Sequence, residues 1–97
     1  MATYISLWNF SDQGIRAVKD TTKRAGIMKE MAQKAGVTVK DIYWTLGAYD
    51  GVVLFEAQNE EAVAALGLAL GALGNVRTQT VRAFSVDEMN GVLGKLP

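Results

Sequence analysis

The chain has 97 residues and contains neither cysteine nor histidine. The lack of cysteine excludes disulfides, thiolate metal sites, iron–sulfur clusters and a cysteine nucleophile, and leaves the redox compartment open. The lack of histidine removes a Ser-His-Asp triad, a His-ligated zinc or haem, and an imidazole proton shuttle. No metal and no cofactor is expected. Net charge is missing too: ten basic residues balance ten acidic ones, so nothing in the charge points to nucleic acid or an anionic membrane as a partner. The longest apolar stretch, residues 62–73, falls well short of the roughly 20 residues a membrane span needs. No basic leader precedes the first apolar run, and a cytoplasmic location is the expectation.

What is present is apolar. With 49% hydrophobic and 21% charged residues, the chain can bury a core, and its length suits one domain covering residues 1–97. It is apolar enough that some of its surface is expected to be given to a partner.

β-Branched and aromatic residues over 3–8 (Tyr4, Ile5, Leu7, Trp8) read as a first strand, ended by Asn9-Phe10-Ser11-Asp12. Ser11 or Asp12 caps a short turn through residues 14–19. A fuller helix then runs from Thr21 or Thr22 to Ala35, with Ile27, Met28, Met31, Ala32 and Ala35 on one face and Gly36 as its C-terminal cap. Residues 37–46 alternate imperfectly, as a second strand, and 52–57 form a third. Between them Gly47-Ala48-Tyr49-Asp50-Gly51 reads as a hairpin turn whose two glycines allow positive φ on either side. Asn59, followed by Glu60 and Glu61, starts a helix that stops at Gly74-Asn75. A fourth strand over 76–84 leads to a capping box, Ser85 with Glu88, and a terminal helix to about Leu96.

The order strand, helix, strand, strand, helix, strand predicts an α+β fold: a ferredoxin-like βαββαβ sandwich with both helices on one sheet face and a short extra C-terminal helix. The other face is left open. In the helix at 60–73, Val63, Leu66, Leu70 and Leu73 form the stripe that should meet the sheet. Leu68 lies off it, beside Ala64, Gly67, Gly71 and Ala72, and residues 62–73 carry no charge. Two glycines inside a helix call for a packing reason, since each costs about 1 kcal/mol relative to alanine. Ala64, Gly67, Leu68 and Gly71 are therefore expected to form part of an oligomer interface, and the chain to be a homo-oligomer.

Three separated stretches resemble the GYD domain family: Asn9-Phe10-Ser11-Asp12-Gln13-Gly14-Ile15-Arg16, Gly47-Ala48-Tyr49-Asp50, and Leu73-Gly74-Asn75-Val76-Arg77-Thr78. The resemblance spans nearly the whole chain and implies the dimeric α+β barrel group of ferredoxin-like proteins, as a dimer or higher oligomer. It implies no settled activity. The chain departs from the family pattern at Thr22, where a proline is common, and at Gly51, where an apolar residue is more usual.

Candidate chemistry is sparse. Tyr49 and Asp50 are weak candidates for a catalytic acid/base pair, against a structural reading in which Asp50 bonds to turn amides and Tyr49 packs on the hairpin. Arg16, Lys19 and Arg24, with Lys23 and the amides near Gly14, are candidates for binding a small anionic metabolite, against a solvated basic face. Tyr4, Trp8, Tyr43 and Trp44 are candidates for partly lining the open sheet face around an aromatic or apolar ligand, although alternation puts Tyr43 and Trp44 on opposite faces. Met28 and Met31 read as core filling. The expected role is assembly or small-molecule binding without catalysis; the alternative is a cofactor-independent isomerase or monooxygenase of the dimeric-barrel type. An enzyme would need a cavity holding Asp, Glu, Lys or Tyr near its substrate.

Overall fold

Alternation in the N-terminal segment builds a nine-residue strand, β1 (Ala2–Phe10), that turns Tyr4, Ser6 and Trp8 to one side as its buried residues. In the computed structural model, which describes all 97 residues, α1 (Asp12–Arg16) follows, capped by Ser11, and then a 3-10 turn at Val18–Asp20. The chain continues as α2 (Thr21–Lys34), β2 (Val37–Trp44), β3 (Gly51–Ala57), α3 (Glu60–Ala72), β4 (Val76–Ala83) and α4 (Val86–Leu93). The four strands form one antiparallel sheet in the order β2-β3-β1-β4. This is the α+β ferredoxin-like arrangement, with β1 and β3 central and β2 and β4 at the edges.

The boundaries follow local chemistry. Asn59 accepts the Ala62 amide at 2.8 Å to cap α3. Ser85 and Glu88 form the reciprocal capping box of α4. Gly36 and Gly74 take positive φ (81° and 86°) where α2 and α3 end. α4 stops at Leu93, three residues before the expected end, and carries Val86, Met89 and Leu93 exposed.

The core lies between the sheet and the helices α2 and α3. Tyr4, Trp8, Val53, Phe55 and Ala57 meet Met28, Ala32 and Leu66 there, with Val37 from β2. Tyr4 stacks on Phe55 at 5.6 Å. Met31 is partly buried against this cluster, which includes the buried Met28. In α3 the expected sheet-facing stripe holds for Val63, Leu66 and Leu70; Leu73, the C-cap residue, is exposed.

The imperfect alternation of β2 is a β-bulge. The register passes from Val39↔Phe55 to Asp41↔Leu54, so Lys40 is the extra residue. That phase shift keeps Val37, Val39, Ile42 and Trp44 on the helix side and leaves Thr38, Asp41 and Tyr43 on the other.

Candidate functional site

The Gly47–Gly51 turn is bound to the end of β1. Asp50 accepts the Phe10 amide through Oδ2 at 2.8 Å, the Asp50 amide donates to the Trp8 carbonyl at 2.9 Å, and Asn9 Nδ2 donates to the Ala48 carbonyl at 2.8 Å. Tyr49 donates its hydroxyl to Gln79 Oε1 on β4 at 3.0 Å. Tyr49 and Asp50 thus face different partners, and both polar groups are committed to holding strands together. Only Gly47 has positive φ (110°). The expectation of positive φ at Gly51 is corrected: Gly51 lies in β3, and a Cβ there would sit inside the Trp8 indole. A larger residue, usual in the family, is excluded here by that tryptophan.

The segment after β1 docks on the loop before β4. Ser11 donates its hydroxyl to the Gly74 carbonyl and its amide to the Asn75 carbonyl, while Gln13 Nε2 reaches Leu73 O at 3.1 Å and Asn75 Oδ1 at 2.9 Å. Gly14 lies so close to the Asn75 carbonyl that a Cβ would overlap its oxygen. The three stretches that carry the family resemblance therefore meet at one end of the sheet, and their hydrogen bonds are architectural. Thr22 stands in the first turn of α2, where proline is tolerated, so that departure costs the helix nothing.

The basic candidates separate. Arg24 is half-buried and donates to the Ala17 carbonyl at 2.9 Å and the Gly14 carbonyl at 3.3 Å. Arg16 and Lys19 are exposed. The Gly14 amide is taken by the Ser11 hydroxyl at 3.1 Å, so it is not free for an anion.

Aromatic placement needs a further correction. Tyr4, Trp8 and Trp44 point to the helix-covered side, and of the four aromatic candidates only Tyr43 lies on the open face. Alternation gives the relative phase of two residues in a strand; the face the helices cover is fixed by the crossovers, and β1 is apolar on both sides.

Two features have the dimensions of a binding site. The first is the open face, where Ile5 and Leu7 of β1, Val52 and Leu54 of β3, Tyr43 of β2 and Val81 of β4 share one surface by register. Tyr43 and Val81 are about half exposed and no element of the chain covers them. The second is a cavity of about 330 Å³ between α2, α3 and the helix-covered face of the sheet. Its walls include Trp8, Phe55, Met28, Leu66, Leu70 and Trp44, with Ser6, Thr78 and Thr80 as a hydroxyl strip. Thr80 donates to Ser6 at 3.0 Å, and the indole N–H of Trp8 is buried without an acceptor. Arg24 is the one ionisable residue of the lining, which has no Asp, Glu, Lys or Tyr. The sequence pattern did not indicate this cavity, because each wall residue reads as ordinary core on its own element.

The family model of the GYD domain matches residues 4–93. A curated relative from Thermus thermophilus, described as a glutamine synthetase and cystathionine beta-lyase binding protein, is 33% identical over 90 residues, spanning 92% of this chain and 95% of the relative. No helix is long and apolar enough to cross a membrane. The near-complete family match, and the meeting of the three signature stretches in space, place this chain in the GYD domain family.

Proposed function

We propose that the chain is a non-catalytic, self-associating binding domain of the cytoplasm, in which two copies pack open sheet face against open sheet face. The uncovered surface of Ile5, Leu7, Tyr43, Val52, Leu54 and Val81 carries this reading. An antiparallel sheet face bearing large apolar side chains loses less by meeting another apolar surface than by staying wet. The described role of the Thermus thermophilus relative, binding two enzymes, supports binding over catalysis here. So does the lining of the cavity, which offers no carboxylate, lysine or tyrosine as an acid or base.

A further contact is proposed on α3. Leu68 is 76% exposed, and Gly71 has no atom within 4 Å of where a Cβ would stand. Gly67 faces only the Thr78 hydroxyl, at 3.9 Å from such a Cβ. Nothing inside the subunit requires glycine at position 71, which supports close approach of a second backbone along Ala64, Gly67, Leu68 and Gly71.

Light scattering at micromolar concentration tests self-association. A particle of at least twice the 10.5 kDa chain mass is expected, and Leu7→Lys should shift it toward the single-chain mass with the circular dichroism spectrum retained. A monodisperse single chain at that concentration defeats the reading.

A further inference from the structure

We infer that the cavity beneath α2 and α3 binds a small monocarboxylic acid with an apolar body, held by its carboxylate at Arg24. The inference does not depend on the sheet-to-sheet contact, which lies on the other face of the sheet; of the proposed α3 contact, only Gly67 also lines the cavity.

Volume is the first argument. At about 330 Å³ the cavity lies at the lower end of the range of small-molecule sites, which suits a small ligand. The cavity opens to solvent past the exposed Ile27, Trp44 and Leu73, so a ligand can enter and displace water from its apolar walls. Walls of that composition favour hydrocarbon or aromatic matter over water.

Charge is the second. Arg24 is half-buried on that wall and forms no ion pair; the two ion pairs of the chain are Lys40–Glu56 and Arg82–Glu88. Its two terminal nitrogens each donate to a carbonyl outside the cavity lining, Ala17 and Gly14, which leaves three of the five guanidinium N–H groups for an anion. A cation bordering an apolar space calls for an anion, and a carboxylate matches the fork of an arginine. No basic or acidic residue other than Arg24 lines the cavity, so a single negative group on an otherwise apolar ligand is what the wall complements. A cationic ligand would place like charge against Arg24, and a dicarboxylate would leave one charge without a partner.

The chain's two tryptophans, Trp8 and Trp44, both line the cavity, so their emission reports its occupation. Titration with 8-bromooctanoate, a heavy-atom quencher, is expected to give saturable quenching, with 8-bromooctanol about tenfold weaker, the span of one charge-assisted hydrogen bond. Octanoate should displace the brominated acid, and octylammonium should not. Arg24→Gln should bring acid and alcohol to about equal affinity. Leu70→Phe, which fills part of the cavity, should abolish saturable quenching by both. The wild-type comparison of head groups needs no variant and decides the matter if either variant fails to fold. Quenching that does not saturate, or equal dissociation constants for acid and alcohol with the wild-type chain, overturns the inference.

Discussion

The indole of Trp8 occupies the space in which a side chain at Gly51 would begin. The two residues face each other across β1 and β3, and Trp44 meets the same indole edge-on with ring centroids 6.0 Å apart. Gly51→Ala should therefore destabilise the fold by about 1–3 kcal/mol, the range of an overpacked core, read as a lower urea midpoint. Combined with Trp8→Phe, which removes the indole bulk, the alanine should cost less than it does alone. Additive effects in that double-mutant cycle would show that the contact is relieved in another way.

Asp50 holds the Phe10 amide through a charged acceptor, and asparagine keeps the shape while removing the charge. Asp50→Asn is expected to lower the unfolding free energy by about 1 kcal/mol, the difference between charged and neutral hydrogen bonds. Octanoate affinity should stay unchanged, since Asp50 does not line the cavity. Chemical denaturation and fluorescence titration of one sample measure both.

Acid should loosen α4 first. The Ser85 amide, and then the Arg82 guanidinium, hold the Glu88 carboxyl below the usual glutamate range. Because the folded value lies below the unfolded one, the stabilisation is complete above about pH 4.3 and is lost as pH falls through the folded value. Amide chemical shifts of residues 86–93 should move toward coil values at a pH where those of β1 and β3 are unchanged. Glu88→Gln should remove that pH dependence.

Leu68→Lys should leave subunit stability within about 0.5 kcal/mol, as expected for an exposed position. If α3 forms an oligomer contact, the same change weakens it, and sedimentation velocity shows a smaller particle. Unfolding instead would place Leu68 in the core.

The elements were legible because their ends are local chemistry. Asn59, the Ser85–Glu88 pair, Gly36 and Gly74 mark the helix termini through bonds to their own neighbours. The faces were less legible. Ile5 and Leu7 are as apolar as Tyr4 and Trp8, so hydrophobicity does not say which side the helices cover, and the bulge at Lys40 shifts the phase within β2. Arg24 stood out as a basic residue, but its place on a cavity wall depends on the spacing of α2 and α3 over the sheet. Neither helix encodes that spacing alone.

β1 is made first and lies in the middle of the sheet, between β3 and β4. Its partners are at residues 51–57 and 76–83, so at a synthesis rate of about 5–20 residues per second the nascent strand waits on the order of several seconds for both neighbours. The β2–β3 hairpin is the antiparallel pair closest in sequence and can close first. Until β4 leaves the ribosome, one edge of the apolar β1 strand is open to whatever lies nearby, including β1 of another nascent chain on the same message.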